Sequence, residues 1–180
     1  MTQEKELLLQ LQSNSNKDIA FKELVTLYKE RLYWHIRNIV KSHDDADDAL
    51  QNTFIKVYKN INGFKGDSKL YSWLYRIATN EAITLLNKNT KRLQISNEEA
   101  QNLAINNLQS DVYFEGSEIQ LKLQKAIATL PEKQQLVFNM KYFQDLKYKE
   151  MSLILDTSEG ALKASYHLAS KKIETYLKAH

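Results

Sequence analysis

Cysteine is absent from this 180-residue chain, proline occurs once and glycine four times. Without thiols there is neither a disulfide framework nor a thiolate zinc site, which suits a reducing compartment. So few turn formers cannot supply the many tight turns of a β-sandwich, whereas the helix formers Leu, Lys, Glu, Gln and Ala are plentiful. The chain is expected to be all-α. No apolar run approaches the roughly 20 residues that cross a bilayer. The N-terminal MTQEKELLLQLQSNSNKD lacks the basic start and apolar stretch of a secretory signal. A soluble cytoplasmic protein, not inserted directly in a membrane, is the expectation. Nucleophile elbow, phosphate-binding glycine loop, His-Glu-x-x-His helix and dinucleotide fingerprint are all missing, so no enzyme and no cofactor is expected.

What is present is helical periodicity. From Asp18 to Val40, Phe21, Leu24, Val25, Leu27, Tyr28, Leu32, Ile36 and Ile39 recur at steps of three and four, which predicts one long amphipathic helix. A second opens at the carboxylates from Asp44 and places Leu50, Phe54, Val57 and Tyr58 on one face. After turn chemistry at Asn62-Gly63 and Gly66-Asp67-Ser68, apolar residues from Leu70 to Leu86 predict a third helix over 69–87. Between about Leu93 and Glu118 the chain turns polar and loses its period, the mark of a flexible linker. Helical spacing resumes at Ile119, breaks at Pro131 and restarts through Leu136 to Phe143. Two small helical domains are therefore expected, residues 1–92 and 119–180, joined by a linker over 93–118.

The last segment has a more particular plan. Lys147 to Leu155 reads as a short helix with Met151, Ile154 and Leu155 inward. Asp156-Thr157-Ser158 makes a tight turn, and Ser158 caps a new helix carrying Leu162, Tyr166 and Ala169 inward. Two short helices across a three-residue turn describe a helix-turn-helix, although any helical hairpin satisfies the period. Its outward residues Lys163, Ser165, His167, Ser170, Lys171 and Lys172 mix small hydrogen-bonding groups with cations, as major-groove contact requires. The net charge of +3, from 25 Lys and Arg against 22 Asp and Glu, permits such a partner without establishing one.

Two other clusters stand out. Phe64, Tyr71, Trp73 and Tyr75 lie near Lys65, Lys69, Arg76, Lys88, Lys91 and Arg92, and aromatics beside cations suit unpaired bases and their phosphates. Trp73 also sits on the inward stripe, where packing competes with that role. Asp44, Asp45, Asp47 and Asp48 lack a His at ligand spacing and the Gly of a calcium loop, so no metal is expected there. They read as a helix N-terminus whose polar face, with Gln51 and Asn52, offers a protein-binding surface.

Taken together, DDADDALQNTFIKVYKNINGFKGDSKLYSWLYRIATNEAITLLNK resembles region 2 of the extracytoplasmic-function (ECF) sigma factors of the sigma-70 family. The C-terminal LPEKQQLVFNMKYFQDLKYKEMSLILDTSEGALKASYHLASKKIETYL is similar to their region 4. The resemblance implies a subunit that joins core RNA polymerase, recognises two promoter elements and helps open the DNA for transcription initiation. It places Asp48, Gln51 and Asn52 on the core-binding surface, with Asn52 standing where Glu is commoner. It implies that Phe64, Ser68 and Asn80 capture an unpaired base of the minus-ten element, and the aromatic and basic set adds Tyr71, Arg76, Lys88, Lys91 and Arg92. For the minus-thirty-five element it implies Lys163, Ser165, His167 and Ser170 as readers, with Lys171 and Lys172 on phosphate. Several of these positions are often Arg in relatives, so less guanine-dependent readout is expected. By analogy an anti-sigma partner, in many relatives membrane-anchored, is also implied. The rival readings are a stand-alone helix-turn-helix transcriptional regulator and a helical interaction protein with no DNA role.

Overall fold

The computed structural model of the protein describes residues 3–13, 16–93, 99 and 118–179. The expected linker falls mostly on 94–117, which apart from residue 99 lies outside the described residues. Among the described residues there are eight named α-helices and no strand. α1 (Gln3–Leu11) has no counterpart in the sequence reading, which saw only a polar N-terminus; it buries Leu7 and Leu11. α2 (Lys17–Val40) matches the long amphipathic helix and buries Ala20, Leu24, Leu32, Ile36 and Val40 at steps of four and eight. It ends at Lys41, which adopts the left-handed conformation (φ 60°) and donates its backbone N–H to the Arg37 carbonyl.

α3 (His43–Asn60) starts one residue before the acidic run. The Ser42 hydroxyl accepts from the Asp45 N–H at 3.4 Å, and Asp44 and Asp45 complement the positive end of the helix. After a 3-10 turn (Ile61–Gly63) and a loop in which Gly66 takes φ +78°, α4 runs from Leu70 to Leu93, beyond the expected end at Asn87. The extra turn holds because Asn89 and Thr90 are half-buried and the Asn89 amide donates to Asp45 Oδ1 at 3.0 Å, tying the end of α4 to the start of α3. Tyr58, expected inward, is instead 36% exposed at the edge of the α3 face, where its hydroxyl donates to Asp18 Oδ1 at 2.7 Å.

The second half comprises α5 (Glu118–Ala128), α6 (Glu132–Tyr142), α7 (Tyr148–Leu155) and α8 (Glu159–Ala179). Pro131 precedes α6, a place where its missing N–H costs nothing. This half has a small core of its own: Ala126, Ile127, Leu130, Phe138, Ala169 and Ile173, with the Phe138 ring stacked between Tyr142 at 5.1 Å and Tyr166 at 5.6 Å. It also completes the core of the first half. Val137, Met140, Leu146, Met151, Ile154 and Leu162 belong to the same apolar cluster as Leu32, Ile36, Leu74 and Ala78. Asn139 Nδ2 donates to the Asn38 carbonyl at 3.1 Å across this boundary, and Lys41 Nζ to Gln124 Oε1 at 3.2 Å.

A buried histidine sits on the same boundary. His35 is 1% exposed, with Nε2 at 2.7 Å from Thr79 Oγ1 and Nδ1 at 2.9 Å from Gln144 Nε2. Thr79 Oγ1 donates its single proton to the Tyr75 carbonyl at 2.7 Å, so it accepts from His35 Nε2–H. That leaves Nδ1 bare, and the Gln144 amide of the second half donates to it. Burial drives the His35 pKa from 6.5 down to about 4, opposed in part by Gln144, whose Oε1 lies 3.1 Å from Nδ1 and accepts from the protonated ring. Between those values the unfolded chain binds the proton and the folded chain does not, so this contribution to stability is complete above pH 6.5 and is lost as the pH falls. Denaturant titrations from pH 7 to 4 are expected to lose up to about 3 kcal/mol through this group. His35→Gln is expected to flatten that slope.

Candidate nucleic-acid interface

α4 turns one polar row to solvent. Arg76, Asn80, Thr84, Lys88 and Lys91 are all exposed at steps of three and four, and Arg92 lies beside them. The row is held in place by the apolar stripe on the opposite side of the helix, Leu70, Leu74, Ala78 and Ala82, which is 0–1% exposed. An amide at Asn80 between cations at either end can pair with a base edge while the cations meet phosphate. Ser68 is half-buried just before α4.

The aromatic part of this region is placed differently from expectation. Phe64 is only 8% exposed, packing against Trp73 at 5.3 Å between ring centroids. The turn after α1 is part of the reason: the Gln12 amide donates to the carbonyls of Ile61 and Phe64 at 3.2 and 3.0 Å and holds the loop inward. Trp73 is half-buried against the core, in keeping with its place on the inward stripe. Tyr71 is half-buried, with Lys69 Nζ 5.7 Å from its ring centre and Glu150 of α7 beside its hydroxyl. Burial, and then the Glu150 carboxylate, hold the Tyr71 phenol well above its ordinary pKa. Glu150 also faces Lys69 Nζ at 3.6 Å, so α7 covers this aromatic from the side.

α3 carries the second surface. Asp48, Gln51 and Asn52 are exposed on one face, and Ile55, which the sequence reading passed over, is 51% exposed one turn further on. An apolar side chain centred on a polar stripe is a common anchor of a protein interface. The helical period carries the signal: with Phe54 and Val57 inward, Ile55 falls on the outer face. The acidic run is occupied in other ways, Asp45 by Asn89 and Asp47 by His43 at 3.6 Å, and no cluster suited to a metal exists among the described residues.

α7 and α8 form the helix-turn-helix, with Met151, Ile154, Leu162 and Ala169 buried between them and their neighbours. Asp156 closes α7 in the left-handed conformation (φ 51°), and the Ser158 hydroxyl accepts from the Ala161 N–H at 3.3 Å to cap α8. Asp156→Gly is expected to stabilise the fold by about 0.5–1 kcal/mol, because glycine enters that conformation without a Cβ clash. A rise in the thermal midpoint of a few degrees checks it. On α8 Lys163, His167, Lys171 and Lys172 are exposed, whereas Ser165 and Ser170 are half-buried on the two flanks of the packed side. The outward centre is filled instead by Gly160, Ala164 and Leu168, the last 50% exposed. Lys172 Nζ reaches Gln134 Oε1 of α6 at 3.2 Å.

A helix-turn-helix with a basic outer face, and a second helix with an amide set among exposed cations, are features of the class of helical DNA-binding proteins. Residues 24–92 match Sigma-70 region 2 and residues 120–173 match Sigma-70, region 4. The chain is 28% identical to the ECF RNA polymerase sigma factor SigW of Bacillus subtilis, covering 88% of this chain and 89% of that one. It is 30% identical to the ECF RNA polymerase sigma-E factor of Haemophilus influenzae, over 86% of each. The chain belongs to the ECF sigma factors of the sigma-70 family. In fold it is similar to CnrH, solved in complex with the cytosolic domain of CnrY, with a TM-score of 0.72, 19% identity and coverage of 98% and 97%. The sigma factor RpoE of Bartonella quintana, solved with the anti-sigma factor NepR, gives 0.67 at 20% identity, covering 88% of this chain and 96% of that one.

Proposed function

We propose that this chain is the promoter-specificity subunit of a bacterial RNA polymerase: it binds the core enzyme, directs it to promoters with two separated elements and promotes opening of the DNA. The observation that carries this reading is the pairing, in one chain and in family order, of the α4 row with the basic recognition helix α8. The chain itself is not an enzyme and acts in the cytoplasm; none of the helices described is long and apolar enough to cross a membrane. Residues 1–92 serve core binding and the minus-ten element, 93–118 link, and 119–180 serve the minus-thirty-five element.

Asp48, Gln51, Asn52 and Ile55 contact core polymerase. Asn80, with Ser68 and Arg76, takes an unpaired base, while Lys88, Lys91 and Arg92 follow the strand. Tyr71 and Phe64 join once the covering contacts loosen: Glu150 over Tyr71, and the Trp73 and Gln12 contacts that hold Phe64 inward. Lys163 and His167 face base edges of the minus-thirty-five element, Ser165 and Ser170 sit at the flanks, and Lys171 and Lys172 hold phosphate. An anti-sigma partner, membrane-anchored in one version of this reading, is supported by the two solved relatives, each held by another protein. An aromatic cleft between the halves, lined by Tyr28, Trp34, Tyr75 and Phe143, offers such a partner apolar surface.

Transcription of a genomic library by purified core polymerase tests the proposal. Addition of the chain is expected to produce discrete starts that core alone does not make. Absence of new starts, with tight operator binding by the free protein, would favour the stand-alone regulator.

A further inference from the structure

α8 contains no Arg, Asn or Gln. In the major groove Arg, like Lys, contacts guanine bidentately, and Asn and Gln contact adenine so. The recognition helix thus leaves guanine to its lysines and has no amide for adenine, and an apolar row occupies part of its outer side. Gly160, Ala161, Ala164 and Leu168 lie at steps of one, three and four along its solvent side, all exposed, with Leu168 at 50%. The packed side of the helix is fully assigned to Leu162, Tyr166, Ala169 and Ile173, so this apolar row has no partner within the fold.

A single exposed leucine is ordinary. Here it continues a row of small apolar residues, flanked along one side by Lys163, His167 and Lys171, with Lys172 next in the same row. Gly160, Ala161, Lys163, Ala164, His167 and Leu168 lie in the first half of the helix, behind the Ser158 cap, the part a helix-turn-helix presents to the groove. Lysines beside the row and at its end suit the phosphates that line a groove, while the apolar centre matches the one apolar group on its floor, the thymine C5-methyl.

Resting on the reading of this helix as the minus-thirty-five reader, we infer that Ala164 and Leu168 are specificity-determining residues that select thymine through its methyl group. Lys163 and His167 supply single hydrogen bonds alongside. The element is accordingly T-containing at two positions on the face these side chains meet, and its recognition depends on burial of methyl surface.

Deoxyuridine removes that methyl and nothing else. Holoenzyme made with this chain is first used to select active promoters from a pool randomised upstream of a fixed minus-ten element. Each thymine of the selected minus-thirty-five element is then replaced by deoxyuridine and initiation is measured. Loss of one buried methyl is expected to lower initiation about threefold to fivefold at two positions. Leu168→Ala, at an exposed position, is expected to abolish the sensitivity at one of them and keep it at the other. Selected elements without thymine, uracil substitutions that change nothing, or undiminished sensitivity at both positions in Leu168→Ala would overturn the inference and leave the row to a protein contact. Holoenzyme that initiates nowhere would instead overturn the parent reading.

Discussion

Asn80→Ala is expected to slow promoter opening about tenfold while leaving affinity for core polymerase unchanged within about twofold. Asn80 is exposed on α4, one turn beyond Arg76 and two before Lys88, on the side opposite the buried stripe of Leu74, Ala78 and Ala82. Its side chain packs against nothing in the core, so truncation leaves the fold intact. What is lost is an amide able to donate and accept at one base edge. Extruding a base costs a few kcal/mol of stacking and pairing, which contacts to the extruded base must offset. The core-binding set on α3 is untouched. Fluorescence-detected opening and a separate core-binding titration distinguish the two effects, and equal losses in both would remove Asn80 from its assigned role.

Met151→Ala is expected to cost about 2–5 kcal/mol and to lower a single cooperative melting transition by roughly 5–15 °C. Met151 is fully buried in the cluster that joins α7 to Leu32, Ile36 and Leu74 of the first half. Removing its thioether opens a cavity in a core that both halves share, so both should lose stability together. Scanning calorimetry reads this directly. Two resolved transitions, of which only one moves, would show that the halves fold as independent units and that the shared core contributes little.

Most of the elements are legible because their helices are amphipathic. Leu24, Leu32 and Ile36, or Leu162 and Ala169, can face only one way once the period is recognised. The turn of the helix-turn-helix was equally open to reading, since Ser158 has the chemistry of a cap and the structure uses it as one. Less visible were features that depend on contacts distant in sequence. α1 is short, and its apolar residues acquire meaning only against the core they cover, so the inward hold on Phe64 through Gln12 could not be read from local pattern. The pairing of Glu150 with Lys69 beside Tyr71, and of Gln144 with His35, joins positions from opposite halves. On α8 the pattern identified a polar outer face but ranked Ser165 and Ser170 with Lys163. At 100° per residue both serines fall toward the packed side, and Ala164 and Leu168 take the exposed positions.

The DNA-reading surfaces of this chain are expected to act in promoter opening only as part of polymerase. Permanganate, which oxidises unpaired thymines, tests this on a promoter selected with the holoenzyme. Reactive thymines around the minus-ten element are predicted when core polymerase and this chain are both present, and neither with core alone nor with the free chain. Reactivity with core alone, or no reactivity with the two combined while the free chain protects the same DNA, would contradict the account.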